Sequence, residues 1–311
     1  MVDEADAVRE LGARVSNWGR WGPDDERGTL NHITPEKLVA AARLVRAGKV
    51  FSLAIPIDEH GPNTVHGSSR GELRHTMTAG TPALRPRVME PGVEYSDDTL
   101  FMHLQATTQW DALAHIIYDG HLYNGYAKET ITDAGASRAG IDKTCSAYVS
   151  RGVVLDVARA QGVECLPPTT HITAEVLQEV AARQQVRVEG GDILLVRTGM
   201  MGVARRTGSW QHYFREQPGL HWSVASWLAD QQIAAVAADN FAVEHLRFDP
   251  VANPLHMVAI RDMGMCFGEL WDLEGLADDC VADGVYECLL VAPALPITGG
   301  VGSPVNPIAV K

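Results

Sequence analysis

Beyond residue 150, short apolar runs alternate with segments that have the periodicity of helices. This alternation limits the fold more than any other feature of the sequence. The apolar runs predict strands at 152–157, 192–197, 233–238 and 287–292. The periodic segments predict helices at 173–185, 222–230 and 271–282. Short continuous apolar runs indicate strands buried on both faces, and helices usually cover such strands. The sequence therefore predicts an α/β fold.

The first hundred residues follow a different pattern. Residues 1–34 are rich in Trp, Gly, Asp and Arg, and we predict an ordered N-terminal arm with turns, because its tryptophans need burial. Thr34 is a suitable N-cap for a helix that ends at Gly48, and a strand is expected at 50–57. Residues 58–98 contain many Gly, Pro, Thr and Arg residues and little periodicity. They predict a long loop excursion, a feature often involved in function or association.

Composition excludes several classes of protein. The chain has 311 residues, 39 of them acidic and 26 basic, with a formal net charge of −13. This charge argues against binding to nucleic acid or to an anionic membrane surface. The chain has no apolar stretch of about 18 residues and no C-x-x-C pair among its five cysteines, and its acidic first segment, MVDEADAVRE, is not expected to act as a secretory signal. We therefore expect a cytoplasmic protein with one domain over residues 1–311 that acts on a small molecule.

A polar face is predicted between residues 102 and 111. If this segment is extended, alternate side chains share a face, which would carry His103, Gln105, Thr107, Gln109 and Asp111. At roughly 3.3 Å per residue, Gln109 and Asp111 lie about 7 Å apart at the backbone and can converge. Gln105 would lie about 20 Å from Asp111 and joins them only if the chain bends. His115 shares a face with Asp111 if a helix begins there. An ordinary exposed strand face is the alternative.

Two later segments contain further candidates. His256 and Glu269 are separated by a predicted apolar strand, and this pair of residue types suits a divalent ion. A hydrogen-bonded core histidine is the alternative. Asp239 and Asn240 follow the apolar run 233–238, where polar residues often line a site or simply form a turn.

Taken together, these segments resemble the cyclase family of metal-dependent hydrolases, which includes bacterial kynurenine formamidase and isatin hydrolase. The resemblance rests on QATTQWDALAH (105–115), YDGHLYNG (118–125), GDILLVRTG (191–199), AADN (237–240), PLHMVAIRDMGMCFGELWDLEGLA (254–277) and PITGGVGSPVNPIAV (296–310). It implies a swivelling β/β/α-type fold with a central sheet or barrel-like core covered by helices. It also implies a homo-oligomer, a dimer or tetramer, and a divalent ion that activates water.

The family motif H-x-G-T-H-x-D-x-P-x-H aligns on Asp111 and His115. Gln105 and Gln109 then stand where the family has its first two histidines, and Leu113 replaces the proline. The later His and Glu of the family fall on His256 and Glu269. The resemblance thus implies one ion, Mn or Zn, bound by Asp111, His256 and Glu269. Gln105 or Gln109 would be an extra ligand or a substrate contact, and the oxygen-rich set favours manganese.

The resemblance implies a hydrolase that opens an amide, lactam or lactone in a cyclic or aryl small molecule. His115 would be the general base and later the acid, because imidazole titrates near neutral pH. Trp110, Asp239 and Asn240 are expected substrate contacts, although strand parity alone points Trp110 towards the core. One alternative is a metal-dependent cyclase or lyase that acts on a polyketide-like or enolisable substrate. Another is a non-catalytic homologue without metal.

Overall fold

The computed structural model describes residues 4–62, 70–71, 73–80, 87–90, 92–246 and 253–311. A nine-stranded sheet forms its centre. The strands of this sheet are β1 (Val50–Ser52), β6 (Gln109–Asp111), β9 (Val149–Asp156), β11 (Ile193–Arg197), β13 (Ala235–Ala238), β14 (Cys266–Glu269), β15 (Glu287–Val291), β16 (Gly302–Pro304) and β17 (Ile308–Val310). Their order across the sheet is β1-β17-β15-β9-β11-β13-β14-β6-β16.

Helices surround this sheet. They are α1 (Glu4–Val15), α2 (Pro35–Ala42), α3 (Val157–Ala160), α4 (Ala174–Arg183), α5 (Met200–Thr207), α6 (Ala225–Asp230), α7 (Pro254–His256) and α8 (Glu274–Asp283). A π-helix, Met257–Met263, continues α7 directly. Short 3₁₀ turns lie at Gly28–His32, Tyr123–Gly125, Lys128–Thr130, Ile141–Lys143, Gln211–Phe214 and Trp222–Val224. No helix in the described ranges is long and apolar enough to cross a membrane.

The α/β prediction is confirmed, and the reason lies in the middle of the sheet. Strands β9, β11, β13 and β14 are parallel neighbours. Every residue of β11, β13 and β14 is buried, so a continuous apolar run is what a parallel strand with both faces covered requires. The predicted strands and helices after residue 150 match β9, β11, β13, β15, α4, α6 and α8 with shifted ends.

The predicted N-terminal arm is ordered, and it contains the twelve-residue helix α1 in addition to turns. Side chains after this helix bind the π-helix, since Asn17 Nδ2 donates to Met263 O at 2.8 Å and Trp18 Nε1 donates to Arg261 O at 2.8 Å. Thr34 caps α2 as predicted by accepting a hydrogen bond from Lys37 N, but α2 ends at Ala42 rather than at Gly48.

The segment 58–98 contains strands within its described residues. These are β2 (Arg74–Ala79), β3 (Arg87–Glu90), β4 (Val93–Tyr95) and the start of β5 (Asp97–Phe101). Strands β2 and β5 pair with each other, as do β3 and β4, and neither pair joins the central sheet. The remaining small pairs are β7 (Ile131–Thr132) with β8 (Gly135–Ala136) and β10 (His171–Ile172) with β12 (Gly219–Leu220).

Three predicted strands are wrong in extent. Only 50–52 of the predicted strand 50–57 is a strand, and only 109–111 of the segment 102–111 belongs to the central sheet. At residue 108, just before β6, the Thr108 side chain takes up two backbone groups: its Oγ1 donates to Leu270 O at 2.6 Å and accepts from Ile55 N. The segment after His256 is a π-helix that Gly264 ends with a positive φ, so β14 begins only at Cys266.

Candidate metal centre

Strand β6 lies between β14 and β16 and brings polar side chains to one face of the sheet. Gln109 is the cross-strand partner of Glu269, and Asp111 is the partner of Gly302. Residues two apart in a strand, and partners across strands, project to the same face. Gln109, Asp111 and Glu269 therefore share a face, and all three side chains are buried.

His256 reaches the same place from the end of α7. Its Nε2 lies 3.4 Å from Glu269 Oε1 and 3.9 Å from Asp111 Oδ2. One ligand atom from each of these three residues lies within 4.8 Å of the others. Asp111 Oδ2 is buried and has no hydrogen-bond partner among the described residues. Two carboxylate oxygens and an imidazole nitrogen form a donor set that suits a manganese or zinc ion, so the residues fit such an ion.

Burial and the neighbouring charges shift the pKa values of Asp111, His256 and Glu269. Burial raises the pKa of Asp111, and the nearby His115 opposes this. Burial also opposes ionisation of Glu269, but the hydrogen bond and charge of His256 hold the pKa of Glu269 below its ordinary value. Burial lowers the pKa of His256, but hydrogen bonds to Glu244 and Glu269 outweigh it and raise this pKa to about 10. Without metal, the cluster therefore holds a proton on His256 at neutral pH.

Glu244 positions His256, although it was not among the residues predicted for the site. Its Oε1 accepts from His256 Nδ1 at 2.5 Å and from His256 N at 3.0 Å, and its Oε2 accepts from Leu255 N at 2.9 Å. The carboxylate thus caps the start of α7 and leaves Nε2 facing Asp111 and Glu269. Metal-binding histidines commonly have such a carboxylate on the other ring nitrogen. In the sequence, the signal for such a carboxylate is the helix start at Asn253-Pro254, because the first N–H groups of a helix need an acceptor.

The two glutamines occupy different places. Gln109 Nε2 donates to Glu269 Oε2 at 3.0 Å and lies 3.4 Å from Asp111 Oδ1, so its nitrogen faces the carboxylates. A Cβ placed on Gly302 would lie 2.5 Å from Gln105 Nε2. Because Gly302 is the cross-strand partner of Asp111, the Gln105 side chain lies beside Asp111. The chain bends between residues 105 and 109, as convergence of these side chains requires.

His115 and Arg70 lie near the cluster and are only partly buried. His115 Nε2 is 3.8 Å from Asp111 Oδ1, and a quarter of its side chain is exposed. The Arg70 guanidinium stacks over Phe241 at 4.7 Å and donates to Gln105 O. Its positive charge lowers the pKa of Glu269, although burial and His256 have larger effects. Arg70 lies outside the motifs of the sequence, so no local signal marks it as a site residue.

The remaining predicted residues do not line this cluster. Trp110 lies on the opposite face, fully buried, where its Nε1 donates to Ala292 O at 2.8 Å and its ring stacks on Tyr148. Asp239 accepts hydrogen bonds from the backbone N–H groups of Thr198 and Gly199. Burial raises the pKa of Asp239 to about 6, against these hydrogen bonds. Asn240 Nδ2 donates to Pro218 O at 2.8 Å. In the structure these three side chains hydrogen-bond to backbone groups of the core and loops, and their contact with a substrate stays a prediction.

Comparison with known proteins places the chain among solved relatives. Residues 71–245 match the family model described as "Putative cyclase". A crystal structure described as a novel cyclase is 41% identical, with 95% of this chain and 99% of that chain covered and a TM-score of 0.84. Isatin hydrolase A from Ralstonia solanacearum is 19% identical, with coverages of 89% and 98% and a TM-score of 0.62. An isatin hydrolase bound to the product analogue thioisatinate is 15% identical, with coverages of 88% and 94% and a TM-score of 0.62. None of the curated proteins matches the chain. At these identities the isatin hydrolases share its fold.

Proposed function

The chain belongs to the cyclase family, and from this premise we propose that it is a metal-dependent hydrolase. Its proposed substrate is a cyclic or aryl small molecule in which it opens an amide, lactam or lactone bond. The observation that supports this proposal is the buried convergence of Asp111, His256 and Glu269, whose ligand atoms lie within 4.8 Å of one another. These three side chains would hold one divalent ion, manganese or zinc.

A divalent ion bound here would lower the pKa of a coordinated water and polarise the substrate carbonyl. The protein supplies the proton transfers. His115 is the proposed general base and then acid, since its Nε2 lies beside Asp111 and its side chain is partly open to solvent. The Asp111 carboxylate, 3.8 Å away, would stabilise the imidazolium that forms. Glu244 holds the His256 ring in place through Nδ1.

The test combines metal content with hydrolysis. Wild-type protein is loaded with Mn²⁺ or Zn²⁺, analysed for metal, and assayed against formamides, lactams and lactones. Asp111→Ala and Glu269→Ala should lose both bound metal and activity while remaining folded. Asp133→Ala removes an exposed carboxylate and serves as the matched control.

Three results would count against the proposal. A wild-type protein that takes up no metal on titration contradicts the metal site. Full activity in both variants places the active site elsewhere. Ring closure or elimination without any hydrolysis would indicate the cyclase or lyase chemistry instead.

A further inference from the structure

The four oxygens of Asp111 and Glu269 form two pairs, one that faces Gln109 and one that faces His256, and Asp111 Oδ1 also lies 3.8 Å from His115 Nε2. Asp111 Oδ1 and Glu269 Oε2 face the amide nitrogen of Gln109, at 3.4 and 3.0 Å. Asp111 Oδ2 and Glu269 Oε1 face His256 Nε2, at 3.9 and 3.4 Å. Each carboxylate therefore gives one oxygen to a neutral amide and turns the other towards the imidazole.

The orientation of the Gln109 amide follows from this environment. Its NH₂ group has two protons and no lone pair to offer, so it matches two carboxylate oxygens. The reverse orientation would place the amide oxygen against two anionic groups. The amide is also fixed in position, because Gln109 pairs with Glu269 across the sheet and its backbone carbonyl accepts from Trp271 Nε1. The backbone and the amide nitrogen of Gln109 are thus held, whereas the amide oxygen Oε1 is buried and has no hydrogen-bond partner among the described residues.

Two neighbouring carboxylates can also hold two metal ions at a short separation, as in two-metal enzymes. A second ion on the Gln109 side would need the same two oxygens that the amide nitrogen already contacts. The amide provides hydrogen bonds there but no positive charge and no ligand atom facing the carboxylates. It therefore leaves one place for a cation, on the side of His256.

We propose that Gln109 is a positioning residue and not a metal ligand. Its amide nitrogen holds one oxygen of Asp111 and one of Glu269, and so limits the site to a single divalent ion. This inference rests on the proposed function, since it assumes that the cluster binds metal.

The test is a titration of metal-free protein with Mn²⁺ alone, by calorimetry and by elemental analysis after dialysis. Wild type should bind one ion per chain. Gln109→Leu keeps the size but removes the donor, and should weaken binding about 10- to 100-fold, as loss of other groups that orient metal ligands does. Gln109→Glu replaces the donor by a third carboxylate and should bind a second ion. Gln178→Leu, at an exposed position of α4, is the matched control and should behave as wild type.

The outcomes separate this inference from the proposed function. Two ions per wild-type chain, or unchanged affinity in Gln109→Leu, would overturn the role of Gln109 and leave the metal site intact. No ion bound to wild type would overturn the metal site itself, and the inference with it. Circular dichroism checks folding. If Gln109→Leu does not fold, Gln109→Asn replaces it in the titration. The shorter amide of asparagine cannot reach both carboxylates, so this variant should weaken Mn²⁺ binding in the same way. Unchanged affinity in Gln109→Asn would likewise overturn the inference.

Discussion

Metal binding should release a proton from His256 and should become tighter as the pH rises. Burial lowers the pKa of His256, but Glu244 and Glu269 raise it to about 10, so the metal-free imidazole is charged at pH 7. An ion can bind Nε2 only after this proton has left. Three pH units separate pH 7 from this pKa, and each unit corresponds to about 1.36 kcal/mol, so proton removal costs about 4 kcal/mol.

The sign follows from the raised pKa. Below pH 10 the proton competes with the metal, so the apparent affinity should rise about tenfold for each pH unit and level off above that value. Asp111, whose pKa burial also raises, acts in the same direction. Glu244→Gln removes one of the charges that retain the proton, so the pKa of His256 should fall and the metal affinity of this variant should level off at a lower pH.

Calorimetry in two buffers with different ionisation enthalpies counts the protons released when Mn²⁺ binds. The titrations are run at pH 6.5, 7.5 and 8.5 on protein stripped of metal with a chelator. About one proton or more per ion is expected at pH 7.5. Zero protons released, together with equal affinity at pH 6.5 and 8.5, would refute the reasoning, because His256 would then be neutral in the metal-free protein.

Three further predictions concern single side chains. His115→Asn should retain the ion but lose about 10²- to 10⁴-fold in kcat, the usual contribution of a general base, and steady-state kinetics with parallel metal analysis will check this; unchanged kcat would exclude His115 as the base. Trp110→Ala should lower the free energy of unfolding by about 3–5 kcal/mol because it empties a core position, while the metal affinity of the folded protein stays close to wild type. Denaturant unfolding measures the stability and Mn²⁺ titration measures the affinity. A selective effect on KM would instead support contact between Trp110 and substrate. Glu244→Ala should lower the melting temperature. After correction for the proton that His256 loses more easily without Glu244, the variant should bind Mn²⁺ about 10- to 100-fold more weakly, and Glu244→Gln should show an intermediate loss. Equal corrected affinity in wild type and both variants would show that Glu244 only caps the helix.

The parallel strands could be predicted because their environment is simple. Both faces of β11 are covered, so every residue of Ile193–Arg197 is buried. The apolar run alone therefore identifies this strand. Asp111, His256 and Glu269 could be selected together only through the family resemblance, since their spacing in sequence is a weak signal. The structure brings their side chains together.

Other features depend on contacts that the local sequence does not contain. An apolar run such as Leu255–Ile260 suits a buried strand or a buried helix equally well. The helix is favoured by Glu244, whose carboxylate accepts the first N–H groups of α7 from another part of the chain. Likewise, the Gln109 amide could have been a ligand or a donor, and only the position of Glu269 on the neighbouring strand makes it a donor.

Strand β6 has a further consequence for how the chain is made. Its neighbours in the sheet, β14 and β16, are encoded far downstream, and Gly302 follows Asp111 by about 190 residues. At a translation rate of roughly 5–20 residues per second, β6 waits about 10–40 s on the ribosome before both partners exist. During that time Trp110 and Leu113, which are fully buried in the finished protein, lack the strands that cover them. The segment that carries Asp111 is therefore a part of the nascent chain that needs protection from aggregation during synthesis.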